Sequence, residues 1–156
     1  MKKNVIAISL ALMLTSTIFM SCAEEKETIT PPTVVKEFTE QNISVKKTEL
    51  INIQSEKLTQ TLTSKNESEG IFCFTVTDSA NPAITQEYLL FNGIDKGFKD
   101  IDFSLDGNSV KVTATSAPDS TTFQEIYILE HSSESKFDSI EISLTKEDGT
   151  VTIFEF

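Results

Sequence analysis

Two stretches of this chain constrain its fold more than anything else in it. The first is "DIDFSLDGNSVKVTAT", residues 100–115. Ile101, Phe103 and Leu105 alternate with polar residues, Asp106-Gly107 interrupts, and Val110, Val112 and Ala114 alternate back. An Asp-Gly pair between two alternating runs is the local signal of a tight hairpin, because the turn needs left-handed backbone that Gly adopts without penalty. The second stretch, "SIEISLTKEDGTVTIFEF", repeats the plan. Ile140, Ile142 and Leu144 lead into Asp148-Gly149, and Val151 and Ile153 return in the same alternation. Between and before these hairpins lie denser runs: "IFCFTVT" at 71–77, "ITQEYLLF" at 84–91 and "FQEIYILE" at 123–130, separated by "NPA", "NGIDKG" and "SAPDST". Short strands with closely spaced turn signals predict an all-β fold, a small antiparallel sandwich or barrel of hairpin-connected strands.

Residues 43–63 are less one-sided. Ile43, Val45, Ile51 and Ile53 share strand parity, and the Thr residues favour strand. Leu50, Leu58 and Leu62, with Lys, Glu and Gln around them, fit a helix. The expectation is two strands with a turn near Gln54–Lys57, with a helix as the alternative. "VVKEF", 34–38, reads as a first short strand or as the end of the segment before it.

The amino-terminal segment follows a different logic. Lys2 and Lys3 precede an uncharged apolar run from Val5 to Met20, then Ser21 and Cys22. That order is the layout of a secretory signal peptide. The run is shorter than the roughly 20 residues a membrane-spanning helix needs. "FMSC" resembles a bacterial lipobox, in which a diacylglycerol is attached to the cysteine and the signal is cut before it. Phe19 and Met20 depart from the usual Leu and small residue, while Ser21 and Cys22 match. The resemblance covers residues 1–27 only. It implies a lipidated Cys22, membrane attachment through that lipid, and an outer-membrane location facing either the cell surface or the periplasm. Glu24, Glu25 and Glu27 resemble the acidic cluster that, in some Gram-negative groups, sends lipoproteins to the outer face. The expected organisation is a signal peptide at 1–21, a lipidated tether at 22–33 containing Pro31-Pro32, and one β-rich domain at 34–156.

Charge narrows the partners. Removing 21 of 156 residues leaves 135, and these carry 11 Lys and no Arg against 24 acidic residues, a formal charge of −13. Phosphate backbones and anionic lipid surfaces both require clustered cations, so nucleic acid is excluded as a partner and the body gives no electrostatic hold on a membrane. Acylation supplies about 0.8 kcal/mol per buried CH₂, and two or three chains are needed for stable anchorage. The expected partner is a protein or a glycan.

The side chains that could carry chemistry are few. Cys73, between Phe72 and Phe74, reads as a small buried strand residue with a raised pKa and no reactivity. His131, the single histidine, reads as an exposed strand-end residue. A zinc site needs several soft ligands, and Asp100, Asp102 and Asp106 lack the calcium-loop spacing. On a strand, Asp100 and Asp102 share the solvated face opposite Ile101 and Phe103. No metal, cofactor or catalytic residue is therefore expected. With 24 acids, a close carboxylate pair carries no information about glycoside hydrolysis. "DSA", "DST" and "DSI" resemble the O-glycosylation acceptor of some Gram-negative groups, which makes Ser79, Ser120 and Ser139 candidate acceptors. The leading expectation is a non-catalytic binding or accessory module. An inhibitor or immunity-type protein that blocks a toxin or hydrolase stands second, and a small envelope hydrolase third.

Overall fold

The computed structural model describes residues 29–77, 81–120, 123–135 and 137–156. Cys22, the acidic cluster after it and Ser79 lie outside these residues. The described chain forms strands β1 (Thr33–Phe38) and β2 (Ile43–Thr48), helix α1 (Glu56–Thr63), and strands β3 (Gly70–Thr77), β4 (Ile84–Asn92), β5 (Gly97–Asp106), β6 (Ser109–Ala117), β7 (Gln124–Ser132), β8 (Ser139–Thr145) and β9 (Val151–Glu155). They make an all-β sandwich. One sheet has the order β1-β2-β7-β4-β3 and the other β5-β6-β8-β9.

The hairpins form where the Asp-Gly pairs place them. β5 pairs antiparallel with β6 and β8 with β9, and Gly107 and Gly149 stand at φ 61° and 81°. The pairing between the hairpins was not foreseen. β6 and β8 run parallel, with Val110 opposite Ile140 and Val112 opposite Ile142. The second sheet is therefore mixed rather than purely antiparallel.

The core lies between the sheets. Val45, Leu89, Phe91, Tyr127 and Leu129 from the first sheet meet Phe98, Phe103, Val110, Val112, Ile140 and Ile142 from the second. A second cluster covers the outer face of the first sheet, where Leu58 and Leu62 of α1 pack on Tyr88, Leu90, Ile126 and Ile128. β4 and β7 are thus buried on both faces, which explains why "YLLF" and "IYIL" are continuous apolar runs rather than alternating ones.

Of the two strands expected within 43–63, with a turn near Gln54–Lys57, the first ends at Thr48 before a 3₁₀ turn, Leu50–Asn52, and the second is instead helix α1. The 3₁₀ turn breaks the parity shared by Ile51 and Ile53 and leaves Ile51 59% exposed. Ser55 then caps the helix, its Oγ accepting from the Leu58 amide at 3.3 Å. Leu58 and Leu62, four apart, both face the sheet.

A second correction concerns β9. Val151 and Ile153 do not return to the core. They are 54% and 59% exposed, while Thr152 and Phe154 turn inward. Register decides this. Phe154 stands opposite buried Ile142, and Ile153 stands opposite Ser143 on the outer face. Cross-strand partners share a face, so Ile153 is carried outward.

Two local features position the layers. Gly93 follows β4 and opens the short loop that takes the chain across to the second sheet. Its N–H donates to Phe123 O at 2.8 Å. Asn92 beside it is buried and donates through Nδ2 to the carbonyls of Lys65 and Ser68, both at 2.9 Å, tying down the loop after α1.

Candidate functional site: the open side of the sandwich

The two sides of the sandwich differ. On one side edge strands β1 and β5 approach each other, and Lys36 Nζ lies 4.0 Å from Asp102 Oδ1. Both edges are irregular: β1 shifts register between Val34 and Lys36, and β5 between Lys99 and Asp102, with Asp100 at φ 53°. The bulge in β5 replaces the plain alternation expected around Asp100 and Asp102. On the other side lie β3 and β9. Between them opens a cleft of about 290 Å³ lined by Cys73, Thr75, Glu87, Phe137, Asp138, Ile140 and Phe156.

Alternation puts Cys73, Glu87 and His131 on the inner face of the first sheet. Glu87 shares parity with Leu89 and Phe91, and is only 8% exposed. Its Oε2 accepts from the Cys73 thiol at 3.8 Å, and its Oε1 lies 3.8 Å from His131 Nε2. His131 Nδ1 is 3.3 Å from Ser135 Oγ, and its ring lies 4.4 Å from that of Phe137. His131 is therefore not an exposed strand end. Its side chain is 14% exposed, because β7 continues through it, paired with Ile43 and Thr85, and Phe137 folds over the ring.

This arrangement does not make a nucleophile. The carboxylate stands between thiol and imidazole, so the imidazole does not reach the sulfur as a base. Burial, then the neighbouring Glu87 charge, pushes the Cys73 thiol up to about 12. Only the thiolate attacks. The thiol also lines the cleft rather than being wholly enclosed. We predict that Cys73, in a Cys22→Ala chain, reacts with a maleimide at pH 8 on the order of a hundredfold or more slower than a free thiol, and at the free-thiol rate in denaturant. Rapid labelling of the folded chain would contradict the Cys73–Glu87 geometry.

Among the described residues, no group of three or more His, Cys, Asp and Glu side chains is arranged to hold a metal ion. Two candidate glycosylation acceptors are placed. Ser120 follows a turn and its N–H donates to Ala117 O at 3.2 Å. Ser139 begins β8, with its Oγ 2.8 Å from Ser109 Oγ in the adjacent strand.

Sequence reasoning missed two features of this side. Glu87 was legible as an acid at the start of the apolar run "EYLLF", but not the face it takes, because both parities of that run are apolar. The outward turn of Val151 and Ile153 was not, because "VTIFEF" has apolar residues on both parities.

No family model, curated protein or solved structure matches this chain.

Proposed function

We propose that the chain is an outer-membrane lipoprotein whose β-sandwich is a non-catalytic binding or accessory module. The signal at 1–21 is removed, lipid on Cys22 holds the protein to the membrane, and the segment 22–33 spaces the domain from it. The observation that carries the proposal is the order of a charged end, an apolar run and Ser21-Cys22. Among the described residues no helix is long and apolar enough to cross a membrane. Burial and the Glu87 charge, which push the Cys73 thiol up to about 12, speak against a cysteine nucleophile in the cleft. The far end of the tether touches the domain, the Thr30 N–H donating to Asn52 Oδ1 at 2.8 Å. An inhibitor or immunity-type role is the second reading, favoured by the −13 charge of the mature chain, which steers basic partners and makes association salt-sensitive. Ser79, Ser120 and Ser139 are its proposed glycan acceptors, and Glu24, Glu25 and Glu27 its proposed surface-export address.

Mass spectrometry of the native protein tests the anchor. The expected amino terminus is Cys22 carrying acyl chains, and Cys22→Ala should move the protein from the membrane to the soluble fraction. An unmodified terminus at another residue, or a Cys22→Ala protein that stays membrane-bound, would overturn it.

A further inference from the structure

We propose that the free edge of β9 is a docking site for an extended, basic polypeptide segment, which joins the second sheet as an added antiparallel strand. The proposal rests on the reading of the domain as a binding module.

The backbone of β9 shows which groups are unclaimed by β8. Phe156 and Ile140 exchange two hydrogen bonds, Ile140 N–H to Phe156 O at 3.0 Å and Phe156 N–H to Ile140 O at 2.9 Å. Bonded and non-bonded pairs alternate along an antiparallel ladder. The next bonded pairs are Phe154–Ile142 and Thr152–Leu144. The N–H and C=O groups of Val151, Ile153 and Glu155 therefore point away from β8, toward the open side. Their side chains are exposed on the outer face, Val151 at 54% and Ile153 at 59%.

Natural edge strands are blunted by bulges, charges or cover, because an open ladder recruits another strand. β1 and β5 carry such devices in Lys36, Lys99, Asp100 and Asp102 and in their register shifts. β3 has its apolar side chains taken up, Phe72, Phe74 and Val76 beneath α1 and Ile71 and Cys73 toward the core. β9 pairs with β8 without a register shift and has no charge between Val151 and Phe154. An unpaired ladder of alternating donors and acceptors fits one kind of ligand, an extended polypeptide backbone.

Charge and register select the segment. Glu155 stands beside Glu141, whose carboxylate is already held by Lys111 Nζ at 2.6 Å. A cation on the incoming strand opposite Glu155 meets that local excess, and apolar residues two and four positions on meet Ile153 and Val151. A second copy of this chain fits less well. The full antiparallel register, Ile153 on Ile153, sets each Glu155 against the other copy's Val151 and joins two strongly acidic bodies.

The test uses the full chain, ¹⁵N-labelled and held in detergent micelles, with the capped synthetic peptide TKTITVT as probe. Its Lys, Ile and Val fall opposite Glu155, Ile153 and Val151. The expected result is amide exchange slowed at least about tenfold at Val151, Ile153 and Glu155, with Thr152 and Phe154 unchanged. A peptide with Glu in place of Lys should bind several-fold more weakly. Ile153→Pro removes an outward N–H without touching a β8 bond, which an edge strand tolerates, and should abolish the protection while the far-ultraviolet spectrum holds. Where proline disrupts the hairpin, Ile153→Lys keeps the ladder and should repel the same peptide. No slowed exchange in the wild type, or equal peptide binding by the folded variants, overturns the proposal. Concentration-dependent protection without peptide, with a dimer in sedimentation, also overturns it in favour of self-pairing. Capture of one envelope protein equally by wild type and Ile153→Pro refutes the edge but leaves the binding module standing. Envelope extracts that yield no partner for either chain count against the module, while the peptide result still decides the edge.

Discussion

Phe91→Ala should lower the unfolding free energy of the domain by about 3–5 kcal/mol. Phe91 is fully buried at the point where the two sheets lock together. Its ring meets that of Phe98 edge-on at 5.5 Å and that of Tyr127 at 5.9 Å, and Tyr127 in turn lies 5.0 Å from Phe103. Truncation removes the transfer free energy of the ring and leaves a cavity that strands pinned on both faces cannot close. A domain of this size has about 5–15 kcal/mol in total, so the variant stands near the threshold of folding. Urea unfolding followed by circular dichroism measures the loss as a fall in midpoint at unchanged slope. Phe123→Ala, at a residue 41% exposed, is the comparison and should cost less than about 1 kcal/mol. Equal losses at the two sites would contradict the inter-sheet packing of Phe91.

Gly93→Ala should cost about 3 kcal/mol or more, a large effect for one methyl group. A Cβ at Gly93 would lie 1.7 Å from the carbonyl oxygen of Lys96 and 2.8 Å from its carbon. Those are backbone atoms of the same short loop, and they have no rotamer by which to escape. The loop must open, and opening it pulls on Phe123 O and on buried Asn92, which bracket it. Gly107→Ala separates space from backbone angle. Nothing lies within 4 Å of a Cβ there, and only the φ of 61° opposes the change. Its cost should stay near about 1–2 kcal/mol. The same urea titration compares the two. A Gly93→Ala loss no greater than that of Gly107→Ala would show that the loop yields where the close approach says it cannot.

Features that depend on neighbours along the chain could be read from the residues alone. Asp106-Gly107 and Asp148-Gly149 specify left-handed backbone at fixed places, and each hairpin closes over a few residues, so both were legible. The buried runs in β4 and β7 were legible for the same reason, as was the inward alternation of Phe103, Val110 and Val112. Lys2, Lys3, the apolar run and Ser21-Cys22 are likewise read along the chain. Features that depend on residues distant in sequence took form only when the sheets packed. Leu58 and Leu62 fit a helix in isolation, but Ile51 and Ile53 fit a strand equally well. The choice fell to helix because the outer face of β4 and β7, with Tyr88, Leu90, Ile126 and Ile128, needed an apolar cover. The parallel pairing of β6 with β8 joins two hairpins whose turns say nothing about each other. His131 became enclosed only because Thr85, Ile43 and Phe137 came to surround it. Alternation in β9 fixed which residues share a face and left open which face looks inward. Pairing with β8 settled that, setting Phe154 against Ile142 and Ile153 against Ser143. A period of two names two equivalent faces, and only the sheet packed against one of them makes them different.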